Sequence, residues 1–289
     1  ADTALYEAKT AGRDRCAFYE ARLGEERRRR QETALRLVAA IDRNEIAVAL
    51  QPQVELASGK LAGFEALARW RRGDHVIMPA EFIDVATEHG LIVPLGHAVL
   101  EQSISAIRSM MDAGLQPVQV AVNISGPQLK IDRFAERVGR LLTRYDVPPS
   151  MLEIEITEAV LLDRSSELID RALRELRECG ITLALDDFGT GYASLAHLKK
   201  FKVDRLKIDR SFIQNIGKDP ENTAISLAII DLAASFGMEV VAEGIETQEQ
   251  LEFLRCRGCS IGQGFLFGPP EWPDAILARK DWGRLASVA

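Results

Sequence analysis

Leu183-Ala184-Leu185-Asp186-Asp187-Phe188-Gly189-Thr190-Gly191-Tyr192 is the stretch on which the fold turns. With Ile181 and Thr182 it opens as a short apolar run behind Gly180, the pattern of a buried strand. Two adjacent carboxylates stand where that strand should end. Neighbouring strand residues point to opposite faces, so one of the pair can aim into a site while the other leans across it. Gly189 and Gly191 then permit the backbone angles of a mobile loop over the pair. A single Asp after a strand more often starts a turn or caps a helix. The pair takes its meaning from the rest of the chain.

Outward from this stretch, eight strand-like runs alternate with amphipathic ones: 46–50, 61–67, 118–122, 152–156, 181–185, 205–208, 239–242 and 260–264. Helical periodicity occupies 79–89, 99–113, 132–145, 165–179 and 222–236 between them, and Thr247 with Gln250 forms a capping box for one more helix. Alternation of this kind predicts an α/β fold, a TIM-like (β/α)8 barrel. Only Ala57-Ser58-Gly59-Lys60 separates the first two runs, too little for a crossover helix. The first strand should therefore run antiparallel to the second, in a modified barrel. Residues 21–44 read as a helix with Leu35, Leu37, Val38 and Ile41 on its apolar stripe, and Arg27 to Arg30 as a solvated face.

Bulk properties narrow the chemistry. Of 289 residues 47% are hydrophobic, enough for one large barrel core, and 27% charged, ordinary for a soluble protein. A net charge of -7 argues against a nucleic-acid polymer as partner. No run reaches membrane-spanning length and no signal peptide opens the chain, so no membrane contact by this fragment is expected. The absence of an initiator Met suggests a piece of a longer protein. Cys16, Cys179, Cys256 and Cys259 form no disulfide framework, which fits a reducing, cytoplasmic location for the fragment, with any membrane anchor left to the parent protein. Cys256-Arg257-Gly258-Cys259 lacks the second pair a zinc site needs and reads as two ordinary thiols at a helix end.

The strand ends carry the polar residues. The second strand ends in Glu65-Ala66-Leu67-Ala68-Arg69, the third in Asn123, the fourth in Glu155 and Glu158, the sixth in Lys207 and Asp209, the seventh in Glu243 and Glu246, the eighth in Gln263. In a barrel these ends converge on the face where active sites lie. Several carboxylates gathered there without counter-charge would be prohibitive, so bound cations are expected. Carboxylates plus the Asn123 amide are hard oxygen donors, which favours Mg2+ or Mn2+ over zinc. His75, His89, His97 and His197 lie away from strand ends and read as helix or loop residues. Asp186 and Asp187 together suggest two metal ions and in-line displacement at phosphorus, with Lys207 and Arg69 as cations for a phosphodiester.

These residues resemble a known family. Gly63-Phe64-Glu65-Ala66-Leu67-Ala68-Arg69-Trp70 is similar to the signature of the EAL domain, the cyclic di-GMP phosphodiesterases. Gln51-Pro52, Asn123-Ile124-Ser125, Glu155-Ile156-Thr157-Glu158, Asp186-Asp187-Phe188-Gly189-Thr190-Gly191, Lys207-Ile208-Asp209, Glu243-Gly244-Ile245-Glu246 and Gln263-Gly264-Phe265 resemble its further motifs in order, from Ile46 to the C-terminus. The resemblance implies hydrolysis of cyclic di-GMP to linear pGpG with two divalent cations, Mg2+ or Mn2+. Glu65, Asn123, Glu155 and Asp186 would hold one ion. Asp186 and Asp187 would hold the other with Glu243, which is alternatively the general base. Lys207 would contact the attacking water or the phosphate, and Glu246 and Gln263 would order the site. Gln51, Leu67, Arg69 and Asp209 would bind the dinucleotide. Glu158 would anchor the loop Phe188, Gly189, Thr190 and Gly191, which in the family also contributes to a homodimer contact through the barrel.

Ala1-Asp2-Thr3-Ala4-Leu5-Tyr6-Glu7-Ala8-Lys9-Thr10-Ala11-Gly12-Arg13-Asp14 resembles the last helix of a GGDEF, or diguanylate cyclase, domain. The implied layout is a GGDEF remnant over 1–20, an interdomain linker helix over 21–45 and an EAL barrel over 46–289. A catalytically silent cyclic di-GMP receptor is the alternative function, and a barrel enzyme for another phosphoester a remoter one.

Overall fold

A computed structural model describes residues 21–115, 119–162, 167–191 and 195–279; the GGDEF-like segment lies outside them. The chain opens with α1 (Ala21–Asp42), β1 (Ile46–Glu55), β2 (Leu61–Arg72), β3 (His75–Ile77), α2 (Pro79–Glu88) and α3 (Ile92–Asp112). There follow β4 (Gln119–Asn123), α4 (Gly126–Leu129), α5 (Phe134–Tyr145), β5 (Leu152–Thr157), α6 (Glu158–Leu161), α7 (Glu167–Glu178) and β6 (Thr182–Phe188). The last part holds α8 (Leu195–Phe201), β7 (Arg205–Ile208), α9 (Arg210–Ile213), α10 (Pro220–Phe236), β8 (Glu239–Ala242), α11 (Gln248–Cys256), β9 (Ile261–Gln263) and α12 (Pro273–Ala278).

Strand order is β1-β9-β8-β7-β6-β5-β4-β2-β3, and β1 also pairs with β2, which closes an eight-stranded barrel. From β2 through β4 to β9 the strands are parallel, whereas β1 runs antiparallel to both β2 and β9. This is the modified barrel that the short first turn predicts. The ninth strand, β3, folds back on the end of β2 and carries His75, expected in a helix or loop.

Alternation along the strands divides each into an outward apolar row under the helices and an inward row. On β5, Leu152, Ile154 and Ile156 belong to the apolar core while Glu153 and Glu155 are fully buried on the other face. On β7, Leu206 and Ile208 pack outward and Lys207 faces the interior. The barrel is thus filled partly by ions rather than by the usual layers of branched aliphatic side chains. Helix α1 buries Ala34, Leu37 and Ala40 on the side that meets α2 and α3, whereas Leu35 and Val38 are exposed. Of the expected stripe Leu37 is buried and Ile41 packs against the core, whereas Leu35 and Val38 turn to solvent and Ala34 and Ala40 take their place on the buried face. The cysteine pair behaves as ordinary thiols: Gly258 takes φ 81° after α11, Cys256 is exposed, and burial pushes the Cys259 thiol up to about 12.

Candidate active site

The inward rows of five strands meet at Lys207. Its Nζ lies 2.6 Å from Glu243, 2.8 Å from Glu155, 3.3 Å from Asp186 and 3.6 Å from Glu65. Burial opposes the lysine's charge, but the surrounding Glu155, Glu243, Glu65 and Asp186 outweigh it and hold the ammonium well above its usual range. One cation does not neutralise four acids. Burial drives Glu155 well up and carries Glu243 to about 8, Lys207 only partly countering it. Glu65 goes the other way. Burial works against its charge, yet Lys207 and the hydrogen bonds from Gln263 and Asn123 keep it below the usual carboxylate range.

Glu65 lies mid-strand rather than at a strand end, because β2 continues to Arg72. Its two oxygens are held separately. Asn123 Nδ2 donates to Oε1 at 2.8 Å and Gln263 Nε2 to Oε2 at 2.6 Å. Asn123 also donates to Glu155 at 3.1 Å, so its NH2 rather than its oxygen faces the acids. Gln51 pairs with Glu65 across the β1–β2 ladder and accepts from Gln263 at 3.1 Å.

The aspartate pair sits on a break in the ladder. Register slips between Leu185 and Phe188, and Asp187 takes φ 54°, a left-handed conformation unusual for a non-glycine residue. Strand β6 thus extends to Phe188, past the expected end, and carries Asp186 buried and Asp187 half-buried. Burial, then Asp186 and Asp209, push the Asp187 carboxyl up. Behind the pair, buried Glu158 accepts from Gly189 N at 2.7 Å, and Thr190 Oγ1 donates to the Asp187 carbonyl at 2.8 Å. A Cβ on Gly191 would crowd the Glu158 carboxylate, so a larger residue there would make that carboxylate move.

Other candidates stand further out. Leu67 lines a cavity of ≈ 570 Å³ beside Asn123 and Thr157. Arg69 is buried close to Glu65, and burial lowers its guanidinium against that neighbour's pull. Asp209 caps α9 by accepting from Ser211 N at 3.0 Å. Glu246 is exposed, and its backbone N–H donates to Gln250 within the α11 cap rather than joining the acids.

Two features escaped the sequence reading. Gln53, buried on β1, donates to Gln263 Oε1 at 3.0 Å. Below the acid cluster, the buried Glu153 pairs with Arg205, which also contacts Gln119 and Glu239. Period-two spacing of Gln51 with Gln53, Glu153 with Glu155 and Arg205 with Lys207 was the available signal.

The donor set suits a hard divalent cation: five carboxylates and an amide, with Glu155 Oε1 buried and lacking a hydrogen-bond partner among the described residues. As the side chains stand, no group of three or more His, Cys, Asp or Glu among the described residues is gathered to hold a metal ion. The acids point at Lys207 instead, so holding a cation requires them to turn from the ammonium and the Asn123 amide to rotate.

Fold and site together define a modified (β/α)8 barrel with an acid-lined mouth. Residues 34–270 match the EAL domain, and the chain belongs to that family. It is 40% identical over 292 residues to an uncharacterized signaling protein of Caulobacter vibrioides, covering 100% of this chain and 35% of that protein. It is 36% identical over 280 residues to the bifunctional diguanylate cyclase/cyclic di-GMP phosphodiesterase MucR of Pseudomonas aeruginosa, covering 96% of this chain and 41% of MucR. It thus spans well under half the length of these relatives. The solved PaMucR phosphodiesterase in complex with c-di-GMP superimposes with a TM-score of 0.80 at 36% identity, over 85% of this chain and 99% of that one. Among the described residues no helix is long and apolar enough to cross a membrane.

Proposed function

We propose that this chain hydrolyses cyclic di-GMP to linear pGpG with two divalent cations, Mg2+ or Mn2+. The observation that carries the reading is the gathering of Glu65, Glu155, Asp186 and Glu243 from separate strands within 3.6 Å of one buried lysine. So much buried negative charge has a use where further cations and a phosphate are handled. Membership of the EAL family and the likeness to MucR support the substrate.

Glu65, Asn123, Glu155 and Asp186 would hold one ion and Asp186 with Asp187 the other. When bound, such ions polarise the phosphoryl oxygens and make water a nucleophile near neutral pH. Lys207 lies where its ammonium can face the phosphoryl oxygens. Glu243, pushed up to about 8, has a proton affinity suited to taking the proton of the attacking water, if it is not itself a ligand. Water oxygen forms the new bond to phosphorus as the bond to the ribose 3′ oxygen breaks, and the proton ends on the leaving oxygen. Gln51, Leu67 and Arg69 would bind the dinucleotide, with Arg69 on phosphate. Gln263 orders Glu65, and Glu158 holds the loop that starts at Phe188, through which a homodimer would be coupled to turnover. The parent protein would carry a GGDEF domain upstream of α1, which would serve as interdomain linker.

The test is product analysis after incubation of purified protein with cyclic di-GMP and Mg2+, with and without chelator. Linear pGpG formed only without chelator is the expected result. Bound but intact dinucleotide would instead make the chain a receptor, and no binding would redirect attention to another phosphoester.

A further inference from the structure

Gln53 lies one step deeper in the barrel than Gln51, on the same face of β1, and opposite Gln263 of β9 in the antiparallel ladder. It is 2% exposed, and its Nε2 donates to Gln263 Oε1 at 3.0 Å. The other end of the Gln263 amide donates to Gln51 Oε1 at 3.1 Å and to Glu65 Oε2 at 2.6 Å. Gln51 closes the chain by donating to the Gly268 carbonyl at 3.3 Å.

An amide has one accepting end and one donating end. Were Gln263 turned over, its carbonyl would face two acceptors, Gln51 Oε1 and the Glu65 carboxylate, in a buried site where unmatched polar groups are costly. The Glu65 carboxylate, which can only accept, demands the orientation in which the Gln263 NH2 faces it, and Gln53 satisfies the buried Gln263 carbonyl that this orientation leaves behind, which holds the amide there. A hydrophobic residue at this position would leave the Gln263 carbonyl buried without a donor and loosen the hold on the amide. We propose that Gln53 is a positioning residue: through Gln263 it aims the Glu65 carboxylate for binding a divalent cation. For its metal and kinetic readouts this rests on the phosphodiesterase reading above.

Gln53→Met keeps side-chain volume and removes the donor, and Gln53→Leu does so with a different shape, so one folded variant suffices. Each is compared with Gln263→Met and with Gln53→Met/Gln263→Met, after thermal melts establish folding. Loss of an outer partner of a metal ligand costs roughly 10- to 100-fold in metal affinity or activity. The expected result is Mn2+ binding, by calorimetry, weakened by about that factor in Gln263→Met and by about tenfold, the lower end of the range, in Gln53→Met, with kcat falling more than KM changes. The double variant is expected to bind Mn2+ no more weakly than Gln263→Met alone, because Gln53 acts only through that amide. The side-chain NH2 resonances of Gln263 should shift in Gln53→Met with neither metal nor substrate present.

Wild-type Mn2+ affinity with unmoved Gln263 resonances in Gln53→Met would overturn the proposal. Losses that add in the double variant would overturn it too. If the wild-type protein binds no Mn2+, the phosphodiesterase reading fails, and the Gln263 resonances still decide whether Gln53 orients the amide.

Discussion

The ammonium of Lys207 lies 2.6 Å from Oε1 of Glu243, with the lysine side chain wholly buried. Their closeness does not make Glu243 an ordinary carboxylate. Burial outweighs the lysine, so its carboxyl titrates at about 8 instead of 4.5.

A carboxyl with a raised pKa holds its proton in the folded protein over a range where the unfolded chain has released it. Its contribution to stability is present below 4.5 and lost as pH rises through about 8. Glu155 and Glu153, also raised by burial, act with the same sign. Lys207, raised further, stays charged across this window, and lowered Glu65 acts only at its acid end. Melting in chelator should therefore fall by several degrees between about pH 5 and about pH 8, and Glu243→Gln should flatten that slope. Divalent cation should restore stability at the alkaline end.

Glu65 receives one hydrogen bond on each oxygen and keeps its charge despite burial. Glu65→Ala should lower turnover of cyclic di-GMP by roughly a hundredfold or more, since even an outer partner of a ligand is worth 10- to 100-fold. Steady-state kinetics in saturating Mg2+ check this, and near-normal rates would contradict the ligand assignment.

Gly191 approaches Glu158 so closely that a methyl group there would meet its Oε2. Gly191→Ala should push the loop off its anchor and reduce kcat by about tenfold, with the barrel's melting temperature lowered by no more than a few degrees, because the loop gives way locally while the barrel stays folded. Glu158→Gln, which keeps a carbonyl for Gly189 N, should lose less than Glu158→Ala.

Below the site, Arg205→Met would strand Glu153 as an unpaired buried acid. It should cost about 3–5 kcal/mol in denaturant unfolding. Glu153→Leu should cost less, because Arg205 keeps Glu239 at 2.8 Å, and the double variant should regain most of the loss. Additive losses would contradict a paired plug.

Barrel closure was legible because eight apolar runs are interrupted by helical periodicity, and because four residues cannot carry a crossover. The acids were legible because charge at a strand end stands out against apolar runs. Other features depend on partners distant in sequence. Glu65 is mid-strand only because β1 pairs beside it as far as Ile46 with Trp70. The left-handed turn at Asp187 follows from a register slip against β7, which no local pattern announces. Leu35 and Val38 read as core by type, yet α2 and α3 meet the face of α1 that carries Ala34, Leu37 and Ala40. Lys207 reads from sequence as a cation for phosphate, and its encirclement by four acids emerges only when the strands close.

The central claim is that this barrel mouth holds two divalent ions against a phosphate. Anomalous diffraction from crystals soaked with Mn2+ and cyclic di-GMP tests it most directly. The account predicts two manganese peaks, one among Glu65, Asn123, Glu155 and Asp186 and one between Asp186 and Asp187, with the phosphodiester across them. Crystals in which the dinucleotide binds without manganese, and Lys207 remains the sole cation among the acids, would contradict it.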